Sequence, residues 1–177
     1  TWHRIDSSGG QSWFNRRKNQ RIDEGLVIQD SEVTIEAGYD ISNDSAIGLR
    51  AASTAAQRGL PISIDACILL SEKYKALPNP WPKPVLNDLV SLIGAGKSMI
   101  RVFEALDQDG LIEKWIPEWS HVRFLPQRNV LHRHTVDRHM LETAVHAAAL
   151  TRTVTRPDLL LVSALFHDIG KGFPDKD

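Results

Sequence analysis

The chain has 177 residues, 42% of them apolar and 24% charged, enough to bury a real core as one domain or one and a fraction. Its 21 Lys and Arg against 22 Asp and Glu leave a formal charge of −1, which argues against a nucleic-acid coat or a polybasic membrane binder. No apolar run approaches the roughly 20 residues that cross a bilayer. The one cysteine, Cys67, excludes an internal disulfide framework and a Cys-rich zinc site. The chain starts at Thr1 without a signal-peptide pattern and stops at Asp177 just after an apolar, His-containing segment. The expectation is a segment of a larger cytoplasmic protein.

The first 45 residues differ from the rest. Residues 1 to 24 are polar, with Arg16, Arg17, Lys18 and Arg21 clustered, and read as solvated surface. Two β-branched runs, at Leu26 to Ile28 and Val33 to Ile35, flank a polar turn and predict a hairpin. From Asn43 the pattern becomes helical. Asp44 or Ser45 can cap a helix that ends at Gly59, with Pro61 beyond. Ser63 or Asp65 opens a second helix, closed by the Pro78-Asn79-Pro80 stretch. Pro84 suits the first turn of a third, in which Val85, Leu86, Leu89, Leu92 and Ile93 share one face. Met99, Val102, Phe103 and Leu106 mark a fourth that ends at Gly110, followed by a Pro- and Trp-rich connector at 115–126 that begins Trp115-Ile-Pro117-Glu-Trp119.

Two more helices follow. One runs from near Thr135 to about Thr151, with Val136, His139, Met140, Thr143, Ala144 and Ala147 as its inward stripe. The other starts at Pro157, places Leu160, Ala164, His167 and Asp168 on one side, and has its end marked by Gly170 and Gly172. The fold class expected is therefore mainly α, with a small hairpin near the start.

Two motifs carry no chemistry. Gly94-Ala-Gly-Lys-Ser98 resembles the end of a phosphate loop, but Ser91 stands where that loop needs a Gly and no strand precedes it. Cys67 lies on an apolar helix with no basic neighbour, which suits core packing rather than nucleophilic attack.

Five of the seven histidines lie between His132 and His167. Two antiparallel helices joined by a short loop would bring His139, His167 and Asp168 to one point. Two imidazoles and a carboxylate suit a divalent ion of the manganese, iron, cobalt or zinc type, or magnesium where oxygen ligands dominate. Such an ion activates water for hydrolysis, with Asp168 and Lys171 as the catalytic candidates. His134, Arg138 and His146 are candidates for orienting the ligands or touching substrate.

The stretch Ala164-Leu-Phe-His167-Asp168-Ile-Gly170-Lys171 resembles the core helix of the HD-domain superfamily of metal-dependent phosphohydrolases, and His139-Met-Leu-Glu-Thr-Ala resembles its first-helix histidine. Leu106 to Glu113, Ile116-Pro-Glu-Trp119 and His132 to His139 together resemble the bacterial bifunctional uridylyltransferase and uridylyl-removing family. The resemblance implies removal of UMP, with AMP as an alternative, from a tyrosine of the PII nitrogen-signalling protein, with UTP or ATP as nucleotide donor. It implies magnesium or manganese as cofactor, and neither membrane nor nucleic acid as partner. It also implies three units: residues 1–45 trailing a nucleotidyltransferase domain, 46–120 a helical linker, and 121–177 the start of an HD domain. That family usually has Tyr where His134 stands here, and its HD site takes another Asp from a later helix. The Gly-Ser loop of its transferase domain does not occur in these 177 residues. Two other readings stay open: a non-catalytic helical module, and an HD hydrolase of another nucleotide.

Overall fold

The computed structural model describes residues 20–127 and 134–173. The basic cluster at 16–18, His132, Asp175 and Asp177 lie outside the described residues. The described residues open with three antiparallel strands, β1 (Gln20–Asp23), β2 (Leu26–Gln29) and β3 (Glu32–Ile35), in the order 1-2-3. The predicted hairpin is β2–β3, with Val27 opposite Thr34 and a two-residue turn at Asp30 and Ser31, both at positive φ. The added strand β1 reads Gln-Arg-Ile-Asp and lies mostly exposed. An edge strand this polar leaves no alternating pattern for sequence reading to find. Leu26 and Val33 are fully buried, and β3 is tied to the helices by Val33 N donating to Pro61 O at 2.8 Å.

Among the described residues, eight α-helices follow. They are α1 (Ile47–Arg58), α2 (Ile64–Glu72), α3 (Lys83–Gly94), α4 (Lys97–Gln108), α5 (Leu111–Trp115), α6 (Trp119–Val122), α7 (Val136–Ala149) and α8 (Pro157–Phe166). Their limits follow local chemistry. Gly59 ends α1 in the left-handed conformation, at φ 66°. Ser63 caps α2 by accepting from Ala66 N. Two expected limits shift: α2 ends at Glu72, short of the Pro78 to Pro80 stretch, and the connector itself coils into α5 and α6. The Gly94 to Ser98 motif is the turn between α3 and α4. Cys67 is buried, and burial pushes its thiol up to about 12, which removes any nucleophile role.

Small side chains let α1 sit at the centre. Ala51, Ala52, Ala55 and Ala56 are all buried along it, and a Cβ on Gly48 would lie 2.7 Å from the Trp115 ring. At its start, Asp44 accepts from Tyr39 Oη at 2.8 Å and pairs with Arg50. Burial alone would raise the Asp44 carboxyl, but the hydrogen bonds from Arg50 and Tyr39 hold it below the usual carboxylate range. Buried side chains from β2 through α8 join one core, in which Phe103 and Trp119 meet edge-to-face at 4.9 Å. An apolar groove of about 670 Å³ lies between α3, the connector and α8, lined in part by Trp81, Trp115 and Phe166.

The connector's last residues are clamped to the helices on either side. Arg123 Nε donates to Asp107 Oδ2 of α4 at 2.8 Å, and its Nη2 donates to the Asp107 carbonyl at 3.0 Å. Buried Asp137 accepts from Phe124 N at 3.0 Å, and Val136 N donates to Leu125 O at 2.9 Å. Replacing Asp137 by Ala removes the acceptor of the Phe124 N–H. That change is expected to lower stability by about 1–3 kcal/mol, with Asp137→Asn losing clearly less because it keeps an acceptor. Urea unfolding of the two variants beside the parent protein checks both values.

Candidate metal centre

The site is built by α7, α8 and the turn after α8. Sequence periodicity places His139 inside the apolar stripe of α7. The buried residues are Val136, Asp137, Met140, Leu141, Ala144 and Ala147, so that stripe is rotated toward Asp137 and Leu141. His139, Thr143 and His146 run along its edge, with His139 half-buried and His146 exposed. The rotation follows from the connector, which draws Asp137 inward to receive the Phe124 N–H. Asp137 is a residue that sequence reading passed over. An Asp in the first turn of a helix normally reads as a solvent-facing dipole partner.

The second element differs from expectation by one turn. Its regular part ends at Phe166, so His167 and Asp168 follow α8 rather than sit within it. His167 keeps helical dihedrals, and the backbone then tightens into a 3₁₀ turn over Ile169–Gly172. The two glycines expected to end the helix, Gly170 and Gly172, both lie in this turn.

Three ligand-type atoms converge there. His167 Nε2 lies 3.2 Å from His139 Nε2 and 3.3 Å from Asp168 Oδ2, and His139 Nε2 lies 3.7 Å from the same oxygen. Ligands bonded to one ion at about 2.1 Å, in tetrahedral or octahedral array, stand about 3.0–3.4 Å apart. The two His167 separations fall within that span and the His139–Asp168 one is slightly wider, so the donor set fits one divalent ion. The tautomer fits as well. His167 Nδ1 lies 2.9 Å from the Ala164 carbonyl, which can only accept, so Nδ1 carries the proton and Nε2 offers a lone pair in the neutral ring. His139, His167 and Asp168 are the one such group of ligand residues among the described residues.

The remaining candidates are placed apart or in other roles. Lys171 Nζ donates to Asp168 Oδ2 at 2.7 Å, so it steadies the carboxylate. Arg138 reaches Glu142 Oε1 at 2.8 Å and pairs with Glu104 of α4, tying α7 to α4. His134 and His146 are exposed, one just before α7 and the other two turns beyond His139. A further contact fixes the turn that carries the site. A Cβ on Gly172 would collide with the His121 carbonyl oxygen of α6, and the His121 and Phe173 rings pack at 4.3 Å. Sequence reading took Gly172 only as a helix stop.

Residues 136–177 match the model of the HD domain family. That stretch holds the helix pair on which two imidazoles and one carboxylate converge. Over most of its length the chain is also homologous to bifunctional uridylyltransferase/uridylyl-removing enzymes. It is 50% identical to the one from Streptomyces coelicolor over 85% of this chain and 18% of that protein. It is 44% identical to the Mycobacterium tuberculosis H37Rv enzyme over 93% of this chain and 20% of that protein. With the Corynebacterium glutamicum enzyme it shares 37% over 91% of this chain and 23% of that protein. The chain thus spans about a fifth of the length of these relatives. No solved structure matches it. No helix among the described residues is long and apolar enough to cross a membrane.

The Gly172 contact yields a prediction. Gly172→Ala forces the 3₁₀ turn off α6, because the atom it meets is backbone and cannot swing away. The variant is expected to lose about 1–3 kcal/mol of stability, as overpacked sites do. Urea unfolding measures the loss; a variant as stable as the parent would contradict the close packing.

Proposed function

We propose that this chain carries the metal-binding start of a hydrolase that removes a uridylyl group from a tyrosine of the PII signalling protein, as the removing half of a bifunctional enzyme. The single observation that carries the reading is the convergence of His139, His167 and Asp168 at an HD motif, in a chain homologous to enzymes named for uridylyl removal. In this reading residues 1–45 trail a nucleotidyltransferase domain, 46–120 form a helical linker and 121–177 open the HD domain. The enzyme acts in the cytoplasm, and its nucleotides are UTP and UMP.

The two Nε2 atoms and the Asp168 carboxylate would hold magnesium or manganese. Bound there, such an ion would supply a water of lowered pKa and polarise a phosphoryl oxygen. The protein's own residues do the rest by position. The Ala164 carbonyl orients His167 and fixes its tautomer. Lys171 holds the Asp168 oxygen and adds positive charge beside the place where a phosphodiester must sit. The half-exposed edge of α7 leaves His139 open to a bulky protein substrate.

In a bifunctional enzyme containing this region, His167→Ala or Asp168→Ala is expected to abolish removal of the nucleotide from PII and to leave attachment largely intact. The double variant should be little worse than either single one, because residues serving one ion act as a unit. Release of UMP from uridylylated PII, followed beside its formation from UTP, checks both halves. Near-normal removal by either variant would overturn the assignment.

A further inference from the structure

One end of the helix bundle gathers cations without acids. There the end of α1, the turn between α3 and α4, and the turn after α7 come together. A Cβ on Gly59 would stand 3.9 Å from Ser98 Oγ, and one on Gly96 would stand 3.9 Å from the Ala148 Cβ. The stretches that meet are residues 55–61, 92–101 and 147–156. They hold Arg58, Lys97, Arg101, Arg152 and Arg156, and no Asp or Glu. All five cations are exposed. Arg156 pairs with Asp158 at 2.7 Å, and the other four make no ion pair among the described residues. In a chain of formal charge −1, this is segregation of charge rather than an excess of it.

Helix dipoles account for half of the cluster. Arg58 stands in the last turn of α1, and Arg152 in the 3₁₀ turn Thr151–Thr153 that follows α7, where cations meet carbonyl ends. Lys97 and Arg101 do not fit that account. They lie one turn apart on one face of α4, near its start, where positive charge is unfavourable and the first turn carries no acid. Apolar surface borders the cations: Leu150 is 53% exposed and Val154 is 40% exposed, on either side of Arg152 in the chain. Leu150 also continues the edge of α7 that carries His139, Thr143 and His146.

We propose that this end face docks an acidic segment of a protein partner. Its carboxylates would meet Arg58, Lys97, Arg101 and Arg152, and an apolar side chain would cover Leu150 and Val154. Exposed cations around a small apolar patch match a peptide that carries both features, whereas a bare polyanion would leave the leucine and valine in water. A partner held there lies near the metal centre. Leu150 is eleven residues beyond His139, about 16 Å at a helical rise of about 1.5 Å per residue. The proposal is independent of the hydrolytic reading, since none of these residues holds the ion.

The test titrates the isotope-labelled, metal-free chain with the capped pentapeptide Glu-Glu-Leu-Glu-Glu and follows the backbone amide resonances. A saturable shift is expected, confined to residues 57–60, 95–101 and 148–154. The double variant Lys97→Glu, Arg152→Glu should weaken binding about tenfold, because two exposed attractions become repulsions. Lys83→Glu, at the opposite end of α3 from Gly94, should leave it unchanged. The capped peptide Glu-Glu-Ser-Glu-Glu should bind about threefold more weakly, having nothing to lay on Leu150 and Val154. The proposal is overturned if no amide in those stretches shifts saturably, or if Lys83→Glu weakens the peptide as much as the double variant. It is equally overturned if the serine peptide matches the leucine one, or if inorganic tripolyphosphate binds as tightly as either.

Discussion

The antiparallel contact of α7 with α8 is the constraint on which the site depends. His139 precedes the last residue of α7 by ten positions, and His167 follows the first residue of α8 by ten. Each histidine therefore stands about 15 Å from the intervening turn, at a helical rise of about 1.5 Å per residue. Equal arms bring the two imidazoles level. Small residues make the pairing close: Ala144 and Ala147 are buried on α7, and Leu161 and Leu165 pack from α8. The site's geometry is thus a matter of helix length and side-chain size before it is a matter of ligand chemistry.

Packing alone leaves the ends of such a pair free to fray, and here both relevant ends are held by the connector region. At the start of α7, the Asp137 carboxylate and the Val136 N–H grip residues 124 and 125. After α8, Gly172 and Phe173 press onto His121 of α6. The same short segment therefore locates His139 from one side and Asp168 from the other. Arg123 carries this frame to α4 through Asp107. The connector reads as a spacer in the sequence, yet it sets the register of the ligand residues.

Helix periodicity and capping made most of the fold legible. Gly59, Ser63, Pro84 and Pro157 stand where the helices turn or begin, because their backbone preferences act locally. What escaped reading depends on distant partners. Strand β1 is polar and exists because β2 offers it a ladder. The face of α7 is rotated because a loop from before the helix uses Asp137. At the site, the residue types and the 28-residue spacing of His139 and His167 were visible in the sequence, while the Ala164 carbonyl that sets the tautomer and the Lys171 contact with Asp168 were not. Single-chain periodicity carries no record of which backbone carbonyl a ring nitrogen meets.

The central claim is that His139, His167 and Asp168 hold one divalent ion between them. Crystals grown with saturating Mn²⁺ and measured for anomalous scattering test it directly. The account predicts one strong peak within about 2.0–2.3 Å of both Nε2 atoms and of the Asp168 carboxylate. A site without a peak at saturating Mn²⁺, or a peak held by other residues, would contradict it.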